Sequence, residues 1–411
     1  MAEEKKQNLQ DGALTGIKIL DLSRTLPGPF CTLMLADMGA EVIKIQEARR
    51  RRNSLETLVP KSELTTDDLK AGYTPHRAID RNKKGIALNL KNEAAREIFY
   101  KLVKDGDVVV IEFRPDVGKR LKIDYDTLKA INPRIIYCAV TAYGQDGPYA
   151  DYPAHDANVI AAAGILGATG TPDGQYVLPG VPIADLCGGG MNAAVGILTA
   201  LFAREKTGRG QFVDISMMDG AVAMMLARHN MLYGITGQSP KAGQRPSHVY
   251  RTRDDKSICF AGGEPWFWER LCKTLDLEEL IPYDQAIKPF AGFSKEREWV
   301  ISKLTEKFLS KTRDEWLESL HKADTCIAPV HTAMDDVLND PQVKHRRMMV
   351  EVEDPILGKI PQPGIAIKLS ETPGRIRTLA PRHGQHTSEI LAGLGYSDEE
   401  VEELKKDGAV V

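Results

Sequence analysis

The sequence predicts an α/β fold, on three observations: short apolar runs rich in β-branched residues, amphipathic stretches of helical period between them, and turn residues at the junctions. The first run is Gly16–Leu22 (GIKILDL), which reads as a buried strand. Pro27-Gly28-Pro29 breaks it, and a helical pattern follows through Phe30, Leu33, Met34 and Met38. Gly39 closes that helix, and Glu41–Ile45 (EVIKI) is the second strand. A strand, a helix and a strand in this order form a βαβ unit, so the sheet is expected to be parallel. Strands at Gly85–Leu90, Asp107–Ile111 and Arg134–Val140 continue the alternation, with Glu93–Val103 as an amphipathic helix among them.

Residues 155–235 are richer in small and apolar side chains. Ala161–Gly170 reads as loop or helix, and Gly188-Gly189-Gly190 lead into a long helix, Met191–Glu205. Gly208-Arg209-Gly210 turn the chain into a strand, Gln211–Ser216, and Asp219–Leu232 is helical. The polar, turn-rich stretch 237–248 reads as a linker into a smaller lobe of helices and a hairpin spanning 236–325. Several prolines interrupt 341–381. The last helix is announced by a capping box, Ser397 with Glu400, and runs out at Lys405, Lys406 and Gly408.

At 411 residues the chain has room for two lobes, each with its own core. Its 42% hydrophobic and 27% charged content is that of a globular protein. A net charge of -3 gives no broad attraction to nucleic acid or to a membrane surface, so an anionic ligand must meet a local basic patch. The six cysteines stand singly, without CxxC pairs or a Cys/His spacing for zinc, so no metal is expected. They suit a reducing compartment. The polar start MAEEKKQNLQDG has no apolar signal core and no membrane span is expected, which leaves a cytoplasmic location as the expectation. Neither GxGxxG after the first strand nor GxxxxGK[ST] is present, so dinucleotide and ATP sites lack support.

Eight segments then run in a familiar order: SRTLPGPFCTLMLADMGAEVIKI (23–45), RNKKGIALNLK (81–91), FRPDVGKRL (113–121), YGQDGPYADYPAHDAN (143–158), ADLCGGGMNAAVGILTAL (184–201), EKTGRGQFVDISMMDG (205–220), GGEPWFWERLC (262–272) and DTCIAPVHTAMDDVLNDPQV (324–343). As a set they resemble the superfamily of family III CoA-transferases and 2-methylacyl-CoA racemases (CaiB/BaiF type), and their motifs lean towards the racemases. The resemblance covers nearly the whole chain. It implies a Rossmann-like large α/β lobe built from both chain ends (1–235 and 326–411), a smaller α+β lobe (236–325) and an interlocked dimer, as a homodimer or a heterodimer. It implies an acyl-CoA substrate and no cofactor beyond the CoA moiety of that substrate.

The same resemblance supplies a candidate site. Asp185, in ADLCGGGM, fills the position that is a nucleophile in transferases and an acid/base group in racemases. His155, in AHDAN, fills the racemase histidine position, and Glu264, in GGEPWFW, that of the glutamate which orients the histidine. Lys91, Arg114, Arg120 and Asp156 fall where the family contacts CoA. Glu47 stands where a basic residue is expected, which makes Arg49–Arg52 an alternative phosphate partner. Ile111-Glu112, before FRP, depart from the family's usual spacing, and the 49–80 loop is longer than in compact racemases, as in many transferases. By residue type alone, Asp185 ahead of three glycines reads as a helix N-cap, whose helix would offer backbone N–H groups to an enolate oxygen. On the same basis His155 is a loop histidine and Glu264 a surface carboxylate. Racemisation at an α-carbon is expected, from a base on one face and an acid on the other. CoA transfer through an Asp185 thioester and a non-catalytic partner subunit are the alternatives.

Overall fold

The computed structural model describes residues 12–48, 77–171, 174–226, 231–237, 248–287, 294–355 and 357–411. The Arg49–Arg52 run lies outside them. The chain divides into two units. The larger takes Met1–Ile165, Pro179–Ala227 and Arg346–Val411, and the smaller takes Leu166–Leu178 and Arg228–His345.

In the larger unit six strands form one sheet: β1 (Lys18–Asp21), β2 (Glu41–Glu47), β3 (Lys83–Leu88), β4 (Val108–Ile111), β5 (Ile136–Thr141) and β6 (Phe212–Ser216). Every pairing is parallel, in the order β3-β2-β1-β4-β5-β6. Each of the six expected strands is there, displaced at its ends by a few residues. Their apolar runs work because both sheet faces are covered. Leu20, Ile43, Ile86, Val109 and Ile111 face one core, and Ile19, Val42, Val108, Val110 and Cys138 face the other.

The helices that matter for the site follow from local chemistry. α1 (Pro27–Asp37) begins with prolines suited to a first turn. α2 (Glu93–Lys104) starts at Asn92, whose side chain accepts the Ala94 N–H at 2.8 Å, and it buries Ile98 and Phe99 on the sheet. Full burial of a side chain such as Phe99 contributes about 1.5–3 kcal/mol. α3 (Pro115–Leu121) follows β4, and α4 (Asp156–Ala162) follows the YGQDGPY loop. A π-helix, Ala184–Met191, runs directly into α5 (Asn192–Thr207). α6 (Met217–Met225) starts earlier than the expected Asp219 because the Ser216 hydroxyl accepts the Asp219 N–H at 3.1 Å and so sets the cap. The stretch Ala184–Thr207 is long and apolar enough to span a membrane by length and composition. In the fold it packs on α1, β5 and β6.

The smaller unit holds an antiparallel sheet of β7 (Val249–Arg251), β8 (Ser257–Phe260) and β9 (Ile327–Val330). Its core gathers Tyr250, Phe260, Trp268, Phe308 and Trp316, and both indole N–H groups are satisfied by carbonyls of Leu280 and Phe308. Because β9 pairs with β8, residues 326–345 belong to this unit and not to the large lobe where the sequence reading put them. α7 (Pro265–Thr274) is the helix that follows the GGE turn. A hairpin, β10 (Met349–Asp354) and β11 (Gly358–Pro363), opens the return to the larger unit.

Candidate active site

The strand order places β1 beside β4, with the chain progressing in opposite directions on either side. In open α/β sheets the crevice beyond the carboxyl ends of such a strand pair is where ligands bind. Two carboxylates stand at this crevice, Asp21 as the last residue of β1 and Glu112 as the first after β4.

Asp21 is fully buried and satisfied on every side. It accepts from Lys44 Nζ at 3.1 Å, Lys83 Nζ at 3.2 Å, the Ser23 N–H at 2.9 Å and Thr32 Oγ1 at 2.6 Å. Lys83 also donates to the Pro29 carbonyl at 3.1 Å, and Lys44 to the Ser23 carbonyl at 2.6 Å. Burial alone would raise the Asp21 carboxyl, but the two ammonium groups and these hydrogen bonds hold it well below the usual carboxylate range. The network ties the turn after β1, and the middle of α1, to the sheet.

Glu112 ties the same turn from the other side. Its Oε2 accepts the Arg24 N–H at 2.7 Å and the Thr25 N–H at 3.0 Å, and its Oε1 accepts the Gly28 N–H at 2.6 Å. α1 has no cap of its own at Leu26 and Pro27 has no N–H, so a carboxylate 84 residues away satisfies its first N–H, that of Gly28.

The first turn of α1 lies against the glycines of the π-helix. A Cβ at Gly189 would sit 2.8 Å from Pro27 Cβ, and one at Gly190 would sit 2.9 Å from the Pro27 carbonyl oxygen. At Gly188 it would meet the Met217 carbonyl at 2.6 Å, so α6 is equally close on another side. Side chains at these three positions would push the helices apart, which explains GGG as a close-packing feature.

Asp185 sits in the first turn of this π-helix, half-buried. It is not the expected N-cap, since the helical conformation already includes Ile183. Its main-chain N–H donates to Asp156 Oδ1 at 3.0 Å, and the Leu186 N–H donates to the Pro182 carbonyl at 3.2 Å. The Leu186 N–H, one of the helix donors expected to face an enolate, is thus already engaged. The Asp185 carboxyl is pushed up to about 6, first by burial, then by the negative charges of Asp156 and Glu112, with His155 opposing them. A group poised there exchanges protons readily near neutrality.

His155 is exposed at the start of α4, with its main-chain N–H donating to Asn158 Oδ1 at 3.2 Å. The fold therefore brings His155, Asp156 and Asp185 together in the larger unit. Asp156, expected among the CoA contacts, holds the Asp185 backbone. Glu264 belongs to the smaller unit, exposed at the N-cap of α7, where its side chain makes no capping bond. Lys91 follows β3, Arg114 precedes α3, and Arg120 on α3 pairs loosely with Asp116 at 3.5 Å. All three cations are exposed; Lys91 and Arg114 follow the carboxyl ends of β3 and β4, and Arg120 lies further along, in the last turn of α3. Glu112 was not among the expected site residues. The departure before FRP was its trace in the sequence.

The family described as CoA-transferase family III matches residues 14–387. The chain belongs to that family. Within CoA-transferase family III the chain is similar to proteins of both chemistries. It is 33% identical to the Homo sapiens succinyl-CoA:glutarate CoA-transferase, over 97% of this chain and 90% of that protein. It is 30% identical to the Homo sapiens alpha-methylacyl-CoA racemase, over 96% and 97%. A CAIB/BAIF family protein from Brucella suis superposes with a TM-score of 0.77 at 28% identity, covering 94% of this chain and all of the other. The protein is thus an enzyme of the family III transferase and racemase superfamily.

Proposed function

We propose that the protein racemises the α-carbon of a 2-methyl or other 2-substituted acyl-CoA, with Asp185 and His155 as the acid/base pair. The observation that carries this reading is the half-buried Asp185 carboxyl poised at about 6 beside an exposed imidazole. In one direction the imidazole takes the α-proton and the Asp185 carboxylic acid returns one to the opposite face. That leaves imidazolium and carboxylate, which is the starting state for the reverse reaction. No electrons or groups are exchanged with a second substrate. The electron pair of the broken C–H bond is held as an enolate, which the thioester makes accessible. For Glu264, in the smaller unit, only the role that the resemblance implies is kept. Lys91, Arg114 and Arg120 would hold the phosphates of CoA.

The exposed apolar stripe Val195, Leu198 and Phe202 on α5 supports a second subunit covering that helix, and hence the dimer. A cytoplasmic enzyme needing no metal and no cofactor beyond the CoA of its substrate completes the reading.

The transferase reading has its own support in the similarity to the succinyl-CoA:glutarate enzyme. In it the Asp185 carboxylate attacks the thioester carbonyl and displaces the CoA thiolate. The thiolate then attacks the aspartyl carbonyl of the mixed anhydride, releasing the donor acid and leaving an Asp185–CoA thioester that an acceptor carboxylate takes up through the reverse steps. Incubating one enantiomer of a 2-methylacyl-CoA in heavy water, without any acceptor acid, separates the two. A racemase incorporates deuterium at the α-carbon and yields both enantiomers. Absence of deuterium across several 2-substituted esters, together with an Asp185 thioester trapped by borohydride, would overturn the proposal.

A further inference from the structure

Glu112 has four donors converging on one side chain: the N–H groups of Arg24, Thr25 and Gly28, and Thr25 Oγ1 at 3.3 Å. These bonds fix the turn that carries Pro27 and Phe30. Pro27 and Phe30 in turn lie within van der Waals limits of Gly189 and Gly190, one helical turn along from Asp185. A displacement at Glu112 therefore has a rigid route to the π-helix, because no side chain at 188–190 can give way. Glu112 also faces Asp185 closely enough for their charges to interact.

We propose that Glu112 is a positioning residue for the reaction, fixing the placement of Asp185 through the first turn of α1 and the glycines of the π-helix. This inference rests on the acid/base role given to Asp185 above.

Other charges cannot readily substitute for it. His155 and Asp156 on α4 are the remaining groups that act on Asp185. Elsewhere against the π-helix, Asp37 on α1 is held by Arg81 and Asn82, and Asp219 on α6 by Ser216. Arg204 on α5 is paired with Asp107, and Asp214 on β6 accepts the Gln145 N–H. The remaining charges of α5, Glu205 and Lys206, lie in its last turn, at the end away from Asp185. The buried thiols Cys31 and Cys138 are pushed up by burial and stay neutral.

The test uses the full chain labelled with ¹³C at aspartate carboxylates, without substrate, and identifies the Asp185 resonance by its absence in Asp185→Asn. In Glu112→Gln the titration midpoint of Asp185 is expected to fall by about half a pH unit or more, since a negative neighbour is lost. Glu112→Asp keeps the charge but cannot reach Arg24 and Gly28 together, so its midpoint should stay near that of the unaltered protein. In both variants deuterium exchange into the 2-methylacyl-CoA should drop roughly tenfold in kcat, with KM within about twofold. Circular dichroism establishes that each variant is folded, and should Glu112→Gln fail to fold, the kcat of Glu112→Asp decides the positioning role. An unchanged midpoint in Glu112→Gln, or a change confined to KM, overturns the inference. Absence of exchange in the unaltered protein would instead overturn the racemase reading, leaving the titration midpoints to judge Glu112.

Discussion

The main-chain N–H of Asp185 donates to the carboxylate of Asp156 at 3.0 Å, so the residue that follows His155 anchors Asp185. One dipeptide thereby presents an imidazole and sets the position of the carboxyl group proposed as its partner.

Replacing Asp156 by alanine should cost about 1–2 kcal/mol of stability, because the Asp185 N–H loses its acceptor in a partly buried place. Turnover should fall with it. Asp156→Asn, which retains an acceptor oxygen, should lose less. Urea titrations alongside the exchange assay read both effects.

Asp185→Asn should abolish turnover while making the protein more stable above pH 6. Folded Asp185 keeps its proton up to about pH 6, whereas a free aspartate loses it near 3.8. The native state therefore binds the extra proton in that window, and stability falls as pH rises through it. Asparagine has no such loss. After discounting for the solvent exposure of Asp185, the gain should be about 1 kcal/mol at pH 7 and vanish near pH 4. Melting temperatures of the two proteins across pH 4–8 check the sign.

Gly189→Ala should destabilise by about 1–3 kcal/mol and depress activity, since its Cβ would lie 2.8 Å from that of Pro27. Gly167→Ala is the matched control. It has open space at its Cβ, so it should be silent in the same melts.

Asp21→Asn should be among the most damaging single changes. It leaves the buried Lys44 ammonium without its carboxylate and Lys83 with Asp80 alone, a loss of about 3–5 kcal/mol for a broken buried pair. Denaturant midpoints measure it, and a loss below about 1 kcal/mol would show that the lysines find other partners.

Much of this was legible in the sequence. The strands were found because apolar β-branched runs bounded by Gly and Pro survive as strands when both faces are buried. The motifs around Asp185 and His155 put the two in one candidate site, and the fold does bring them near each other. The local role of Asp185 was misread, because an acid ahead of three glycines has the pattern of a cap, and only the packing of α1 and α6 shows the glycines to be contact points. Lys44 sat in plain view as a lone cation within EVIKI, yet its partner is set by register: Asp21 stands opposite Lys44 across β1 and β2. Glu112 was hidden for the same reason. Its partners lie 84 to 88 residues away, and only the adjacency of β1 and β4 brings them near.

The outer edge of β3 has a bearing on how the chain comes to be folded at all. Its polar backbone groups are met by residues some 300 positions later. The Asn82 N–H donates to the Thr378 carbonyl, the Gly85 N–H to His386 Nδ1 at 3.1 Å, and the Asn89 N–H to the Ala409 carbonyl. Asn82, held at φ 60, also accepts the Arg377 N–H through its side chain at 2.6 Å. During synthesis this edge must therefore wait, bare and ready to pair with any passing strand, until the final segment leaves the ribosome. Closing so long a loop late makes for slow assembly. A ribosome stalled shortly before residue 377 would hold a nascent chain with its sheet edge open, and chaperone binding should concentrate at that stage of elongation.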